Sequence, residues 1–213
     1  KDKYGVDQSD PLLYLQEENV LAKINNEILE FDLTVNTKLT NNSEELTAFQ
    51  LEEISKQATI NASRNIKILE TVKERLELDP LESILIFAAS TEHCIVLDML
   101  FKREGLSADY ILGSSRKETR NAAIENFKNK KINILINYSV LSTGFDAPKL
   151  NTLIIARTIN SNILGSQIIG RALRGIRNGG NSINNIIVLK DNITGLDPSF
   201  LFSYWETFWG RKN

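Results

Sequence analysis

One cysteine, one histidine and one methionine occur in 213 residues. The lone Cys94 excludes a disulfide framework and a cysteine-based metal site, so no metal ligands are assigned, and it fits a reducing, cytoplasmic compartment. With His93 as its only histidine, the chain offers a Ser-His-Asp or Cys-His triad a single candidate base, and no Asp or Ser stands at a telling spacing from it. His93 reads as a surface or capping residue in the first turn of a helix, and Cys94 as a core thiol. No apolar run approaches the ~20 residues that a membrane span needs, so no membrane partner is expected. Eleven glycines and four prolines exclude collagen-like and low-complexity chains. The opening KDKYGVDQSD has neither the apolar stretch of a signal peptide nor an initiator Met, and reads as part of something longer.

Phosphate-binding signatures are missing too. No glycine is followed by Lys, so there is no GxxxxGK[ST] loop, and no GxGxxG follows a strand. No Asp-Glu pair occurs that could hold Mg²⁺ after a strand. As a self-contained enzyme the chain is unpersuasive.

Basic charge is scarce overall, with a net of −2, and it is unevenly spread. Residues 1–82 carry 9 basic and 17 acidic side chains, 83–146 carry 8 and 7, and 147–213 carry 8 and 3. Nucleic-acid binding leaves a basic footprint, and only the last third could supply one. The gradient suggests binding through the 83–213 half with 1–82 turned away. A solvated acidic surface is the plain alternative for that first third.

What is present is strand–helix alternation. SILIFAA (83–89), ADYILG (108–113), INILIN (132–137), NTLIIAR (151–157) and NNIIVLK (184–190) are short, β-branched and apolar on successive positions, as in strands covered on both faces. Thr91 can cap a helix running to Gly105. Ser115 and Glu118 have capping-box spacing before an apolar stripe of Ala123, Ile124 and Phe127. Ser161 can open NILGSQIIGRALRG, and Asp197-Pro198 a last helix closed by Gly210. The pattern predicts an α/β fold, a parallel sheet with helices on both faces. Ahead of it, Ser9, Asp10 and Pro11 mark a helix start, and LAKINNEILEFDLTV looks extended. Two acidic amphipathic helices over 43–78 follow, the second with Ile66, Leu69, Val72 and Leu76 on one face. Asp79-Pro80 marks the boundary, giving an acidic segment 1–82 and a domain 83–213.

Two segments carry chemistry. NYSVLSTGFDAP (137–148) sets small polar groups after a buried strand, where Gly144 permits close backbone approach and Asp146 can accept hydrogen bonds. A plain strand-to-strand loop is the alternative. In QIIGRALRG (167–175), helical spacing places Gln167, Gly170, Arg171 and Arg174 on one face, and Ile168, Ile169, Ala172 and Leu173 largely on another. Two guanidiniums one turn apart can bind phosphate oxygens. An exposed basic face, or an ion pair with Asp146, would explain the same residues.

ILIFAAS (84–90), LGSSRKETRNAAIENF (112–127), ILINYSVLSTGFDAP (134–148) and QIIGRALRG resemble motifs IV, IVa, V and VI of superfamily-two helicases. These motifs belong to the second of two RecA-like, P-loop NTPase-type motor domains. The wording is most similar to DEAD/DEAH-type proteins of the restriction-modification helicase-subunit group, although many relatives carry Thr-Asp where this chain has Tyr138-Ser139.

The resemblance implies the second motor domain of an ATP-dependent helicase or translocase, hydrolysing ATP with Mg²⁺. The Walker A loop and the Mg²⁺ ligands are then expected on the first RecA-like domain of the same chain. Arg171 and Arg174 are implied as arginine fingers, with Gln167 positioning the phosphate or the attacking water. Gly144, Asp146 and Gly170 are implied at the nucleotide. Ser90, Gly113, Ser114, Ser142 and Thr143 are implied at the backbone of DNA or RNA, with DNA favoured. Arg120 matches a recurrent family arginine with a structural role. The alternative is a non-catalytic helicase-like module docking partners through its acidic helices. Without a phosphate loop, the 213-residue chain alone is expected to hydrolyse no ATP and to bind it weakly. Steady ATP turnover by the purified chain would overturn this.

Overall fold

A computed structural model describes residues 11–31, 33, 47–140, 149–159, 161–192 and 202. Its centre is a six-stranded, wholly parallel sheet in the order β1-β6-β5-β2-β4-β3. The strands are β1 (Lys23–Phe31), β2 (Ile84–Phe87), β3 (Ala108–Ile111), β4 (Ile134–Asn137), β5 (Thr152–Ile155) and β6 (Ile183–Asp191). All five expected buried strands are present, and the extended N-terminal stretch supplies the sixth.

Every residue of β2, β4 and β5 is buried. Successive side chains point to opposite faces, so the strands split between two cores. Leu85, Phe87, Leu135, Leu153 and Ile155 meet α5 (Lys117–Lys128) and α6 (Asn162–Ile169) through Phe127, Ile168 and Ile169. Ile84, Ile86, Ile134, Ile136 and Ile154 meet α3 (Ala62–Leu78) and α4 (Thr91–Arg103) through Ile68, Val72, Leu97 and Phe101. Each such fully buried side chain contributes about 1.5–3 kcal/mol.

The 82/83 boundary does not coincide with a break in packing. β1 pairs with β6 over nine residues, from Lys23↔Ile183 to Phe31↔Asp191. It closes one edge of the sheet, and its mostly exposed charges blunt that edge against further pairing. α1 (Pro11–Glu17) precedes it, and α2 (Ala48–Ile60) opens on a capping box between Thr47 and Gln50.

Several local expectations are corrected. Ser90, not Thr91, caps α4 by accepting from His93 N, while Gly105 ends the helix at φ +74°. Ser115 caps nothing: its Oγ accepts from Leu112 N, and α5 starts without a side-chain cap. On α3 the buried stripe runs through Arg64, Asn65, Ile68, Leu69 and Val72, leaving Ile66 exposed. A buried Arg64 rotates the stripe away from the purely apolar positions. Of the helix expected after Asp197 only Phe202 is described, helical and packed against the α5–α6 side of the core, and the loop 141–148 lies outside the described residues.

Arg64 is fully buried, with Nε 2.9 Å from Asp191 Oδ1, and Nη2 3.3 Å from Oδ2 and 3.2 Å from the Ala156 carbonyl. Removing one member of a buried pair strands the other charge, so Asp191→Ala should cost about 3–5 kcal/mol. Arg64→Met combined with Asp191→Leu should recover most of that loss in urea unfolding. Equal loss in the single and double variants would show that packing, not charge, is being measured.

Candidate functional site

The carboxyl ends of β2, β4 and β5 open into a cleft of about 730 Å³. α2 forms one wall with Leu51, Lys56 and Ile60, while Ser90, Tyr138 and Arg157 come from the strand ends. A parallel sheet binds ligands at this edge, so the position follows from topology.

Ser90 stands here as expected, but its hydroxyl is engaged. Its Oγ accepts from His93 N at 3.0 Å and lies 3.0 Å from Thr59 Oγ1. Thr59 already donates to the Ser55 carbonyl, so Ser90 is the donor between the two hydroxyls. Contact with a phosphate oxygen through that proton requires the Thr59 bond to open. Gly113 and Ser114 are exposed in the turn after β3, two strands from Ser90, about 10 Å along the sheet. Space is open beside Gly113, so no neighbour requires a glycine there. Arg120 reaches toward its carbonyl at 3.5 Å. Ser142, Thr143, Gly144 and Asp146 lie outside the described residues.

His93 is corrected outright. It is fully buried rather than at the surface. Ala89 N donates to its Nδ1 at 3.0 Å, which leaves the proton on Nε2, 2.9 Å from Asn65 Oδ1. Asn65 then donates to the Thr59 carbonyl at 2.9 Å. This chain of bonds ties α2 and α3 to the turn that carries Ser90. Burial, with the Arg64 charge beside it, pushes the His93 pKa down to about 3. Burial likewise pushes the Cys94 thiol up to about 12, in keeping with a core role.

Sequence reasoning treated Arg157 only as the end of a strand. Its guanidinium carbon lies 5.0 Å from the centroid of the Tyr138 ring, and Nη1 donates to Ser139 Oγ at 3.2 Å. Burial holds its pKa below the ordinary arginine value. An arginine closing a buried strand was the available signal.

The Gln167–Arg174 element lies elsewhere, and its single helical face is corrected. α6 stops at Ile169; Arg171 N bonds to Ile168 O and Ala172 N to Ile169 O, a tightened last turn. Arg174 is extended, in an antiparallel bridge with Leu21. Gln167 and Gly170 are exposed, and Arg171 and Arg174 half-buried. Burial lowers the Arg171 pKa. Ile168, Ile169, Ala172 and Leu173 are buried as expected. Asn184 donates to the Ala172 carbonyl and Ala22 N to the Leu173 carbonyl, so tertiary bonds replace the helical ones. Gly175 is required by contact, since a Cβ would sit 2.4 Å from the Asn19 carbonyl oxygen. None of Gln167, Gly170, Arg171 or Arg174 lines the cleft. Among the described residues there is no group of three or more His, Cys, Asp or Glu able to hold a metal, and no helix long and apolar enough to cross a membrane.

Residues 66–175 match the family described as the helicase conserved C-terminal domain. That is more than half of the chain, which therefore belongs to this family. Over 126 residues it is 30% identical to IRC3 of Saccharomyces cerevisiae, named as an ATP-dependent helicase, covering 59% of this chain and 18% of that protein. It is 33% identical over 87 residues to the DEAD-box ATP-dependent RNA helicase 29 of Oryza sativa, covering 41% and 10%. The chain thus spans under a fifth of the length of these relatives. Among solved structures, a fragment of an HsdR subunit of a type I restriction enzyme from Vibrio vulnificus shares the fold with a TM-score of 0.60 at 19% identity, covering 85% of this chain and 35% of that one. A DEAD box protein from Methanococcus jannaschii gives 0.54 at 24%, covering 72% and 39%.

A histidine held neutral makes stability depend on pH. The unfolded chain takes up its proton below about pH 6.5, and the folded chain only near 3. His93 should therefore destabilise the fold progressively as pH falls from about 6.5 toward 3. Unfolding titrations of wild type and His93→Gln should diverge in slope across that window. Parallel slopes would overturn it.

Proposed function

We propose that this chain supplies the second motor domain of an ATP-dependent helicase or translocase acting on nucleic acid, with DNA favoured. The observation that carries the reading is the family match over 66–175, which takes in the whole Gln167–Gly175 element. Arg171 and Arg174 act on the phosphates held by the first RecA-like domain, and Gln167, Gly170, Gly144 and Asp146 serve the nucleotide. The donor chemistry fits. Two arginines within four residues, half-buried beside exposed Gln167 and Gly170, suit a triphosphate. Mg²⁺, when bound, screens phosphate charge. Its ligands are expected on the first RecA-like domain, as the resemblance to superfamily-two helicases implies. Ser90, Gly113 and Ser114 contact the strand backbone from the carboxyl edge, and Ser142 and Thr143 are proposed to contact it too.

Phosphoryl transfer depends on positioning and charge stabilisation, so a site divided between two domains can be opened and closed by their motion. The turn after α6 presents Arg171 and Arg174 through backbone fixed against Leu21 rather than through a common helical face.

In the full two-domain protein, Arg174→Ala should lower ATP turnover by about 10³–10⁵, with nucleotide affinity changing far less. Arg174→Lys should fail to rescue, because a point charge lacks the planar fork. A structural arginine would instead show a lowered melting temperature and recovery by Lys. Near-normal turnover in folded Arg174→Ala would remove the assignment.

A further inference from the structure

The cleft lies at the switch point of the sheet. β2 and β5 are neighbours, and the chain leaves β2 through α4 on one face and β5 through α6 on the other. Their carboxyl ends therefore diverge, and the crevice opens between Ser90 and Arg157.

Its lining is mixed: Leu51, Ile60 and the Tyr138 ring stand among hydroxyl side chains, and the two carboxylates Glu52 and Glu92 balance the two cations Lys56 and Arg157. Lys56 pairs with Glu52 at 2.8 Å, so those two charges cancel locally. Arg157 has no carboxylate partner among the described residues. Its plane is held by the Tyr138 ring beneath it and by the Ser139 hydroxyl, so little rotamer freedom is left to lose on binding. Across the cleft, Ile60 is 72% exposed and Leu51 also faces the space. An immobilised guanidinium plane opposite aliphatic side chains suits a flat aromatic ring. The volume of about 730 Å³ suits a ligand of nucleotide size.

We propose that this cleft receives one unpaired nucleotide of a single strand, its base stacked on Arg157 with α2 as the opposite wall. The site rests on the reading of the chain as a nucleic-acid motor domain. It adds a base contact to the backbone contacts assigned to the strand ends, and it brings an acidic helix outside the helicase motifs into the groove. The expectation that residues 1–82 turn away from the nucleic acid is thereby reversed for α2. Base–aromatic stacking is tolerant of sequence, so such a contact grips a strand without reading it.

The test compares strands as well as variants, using the full-length protein and fluorescence anisotropy at fixed salt. Wild type should bind a single-stranded thymidine or uridine homopolymer about tenfold more tightly than an abasic strand of equal length. Arg157→Ala and Arg157→Lys should both lose about that factor on the normal strand and almost nothing on the abasic one. Equal binding of normal and abasic strands by wild type would overturn the stacking site without relying on any variant. Recovery by Arg157→Lys would overturn it in favour of a simple phosphate contact. Free AMP displacing the strand as effectively, mole for mole, as unlabelled oligonucleotide would overturn it in favour of a free nucleotide. If wild type binds no strand at all, the motor-domain reading itself falls.

Discussion

Arg64 carries a guanidinium into the interior, and that placement is tolerated only because three acceptors meet it. Two are the oxygens of Asp191 at the end of β6, and the third is the Ala156 carbonyl just beyond β5. One side chain thereby fastens α3 to two adjacent strands at their carboxyl ends. The register makes the bond reach further, because Asp191 pairs with Phe31 at the end of β1. A buried pair of this kind is weak evidence for net stability and better evidence for a fixed arrangement. Its position explains two neighbouring features. His93 stays neutral mainly because it is buried, and the nearby Arg64 charge adds to the effect. Arg157 follows directly on the carbonyl that Arg64 holds, so the backbone under the cleft has little freedom to shift.

Parallel topology then decides which groups can meet. Every strand ends at the same edge, so residues from β2, β4 and β5 converge although they lie far apart in sequence. The arginines after α6 are carried away from that edge, because the connecting helix runs back toward the start of β1 before β6 begins. An eight-residue helix travels about 12 Å. The fold therefore separates a strand-end cleft from an arginine-bearing turn, with β5 and α6 as the rigid connection between them.

The strands were legible because burial on both faces leaves continuous apolar runs such as ILIF and ILIN, which need no tertiary knowledge to recognise. The family was legible from four ordered motifs. Less legible were positions whose partners are remote in sequence. His93 looks like a cap until Asn65, 28 residues earlier, accepts its proton. Ile66 sits at good helical spacing, yet Arg64 takes the buried side of α3 because Asp191, 127 residues on, is there to meet it. Arg157 gave only the signal of an arginine closing a buried strand, since its setting comes from the Tyr138 ring just beyond another strand.

The early end of α6 shows the same cause at finer scale. Spacing alone favours a helix through Arg174, and local propensity offers no barrier beyond Gly170. The helix yields because other acceptors and donors are already in place. The Ala172 carbonyl is claimed by Asn184, the Leu173 carbonyl by Ala22, and Gly175 N by the Val20 carbonyl. Each would otherwise belong to a continuing helix or to water, and a buried carbonyl without a partner is costly. Two glycines make the exchange sterically feasible. A Cβ at Gly175 would collide with Asn19, and one at Gly180 would stand 2.1 Å from the Arg174 carbonyl oxygen. Residues 19–22, which lie before every helicase motif in the chain, therefore set the backbone on which Arg174 is carried.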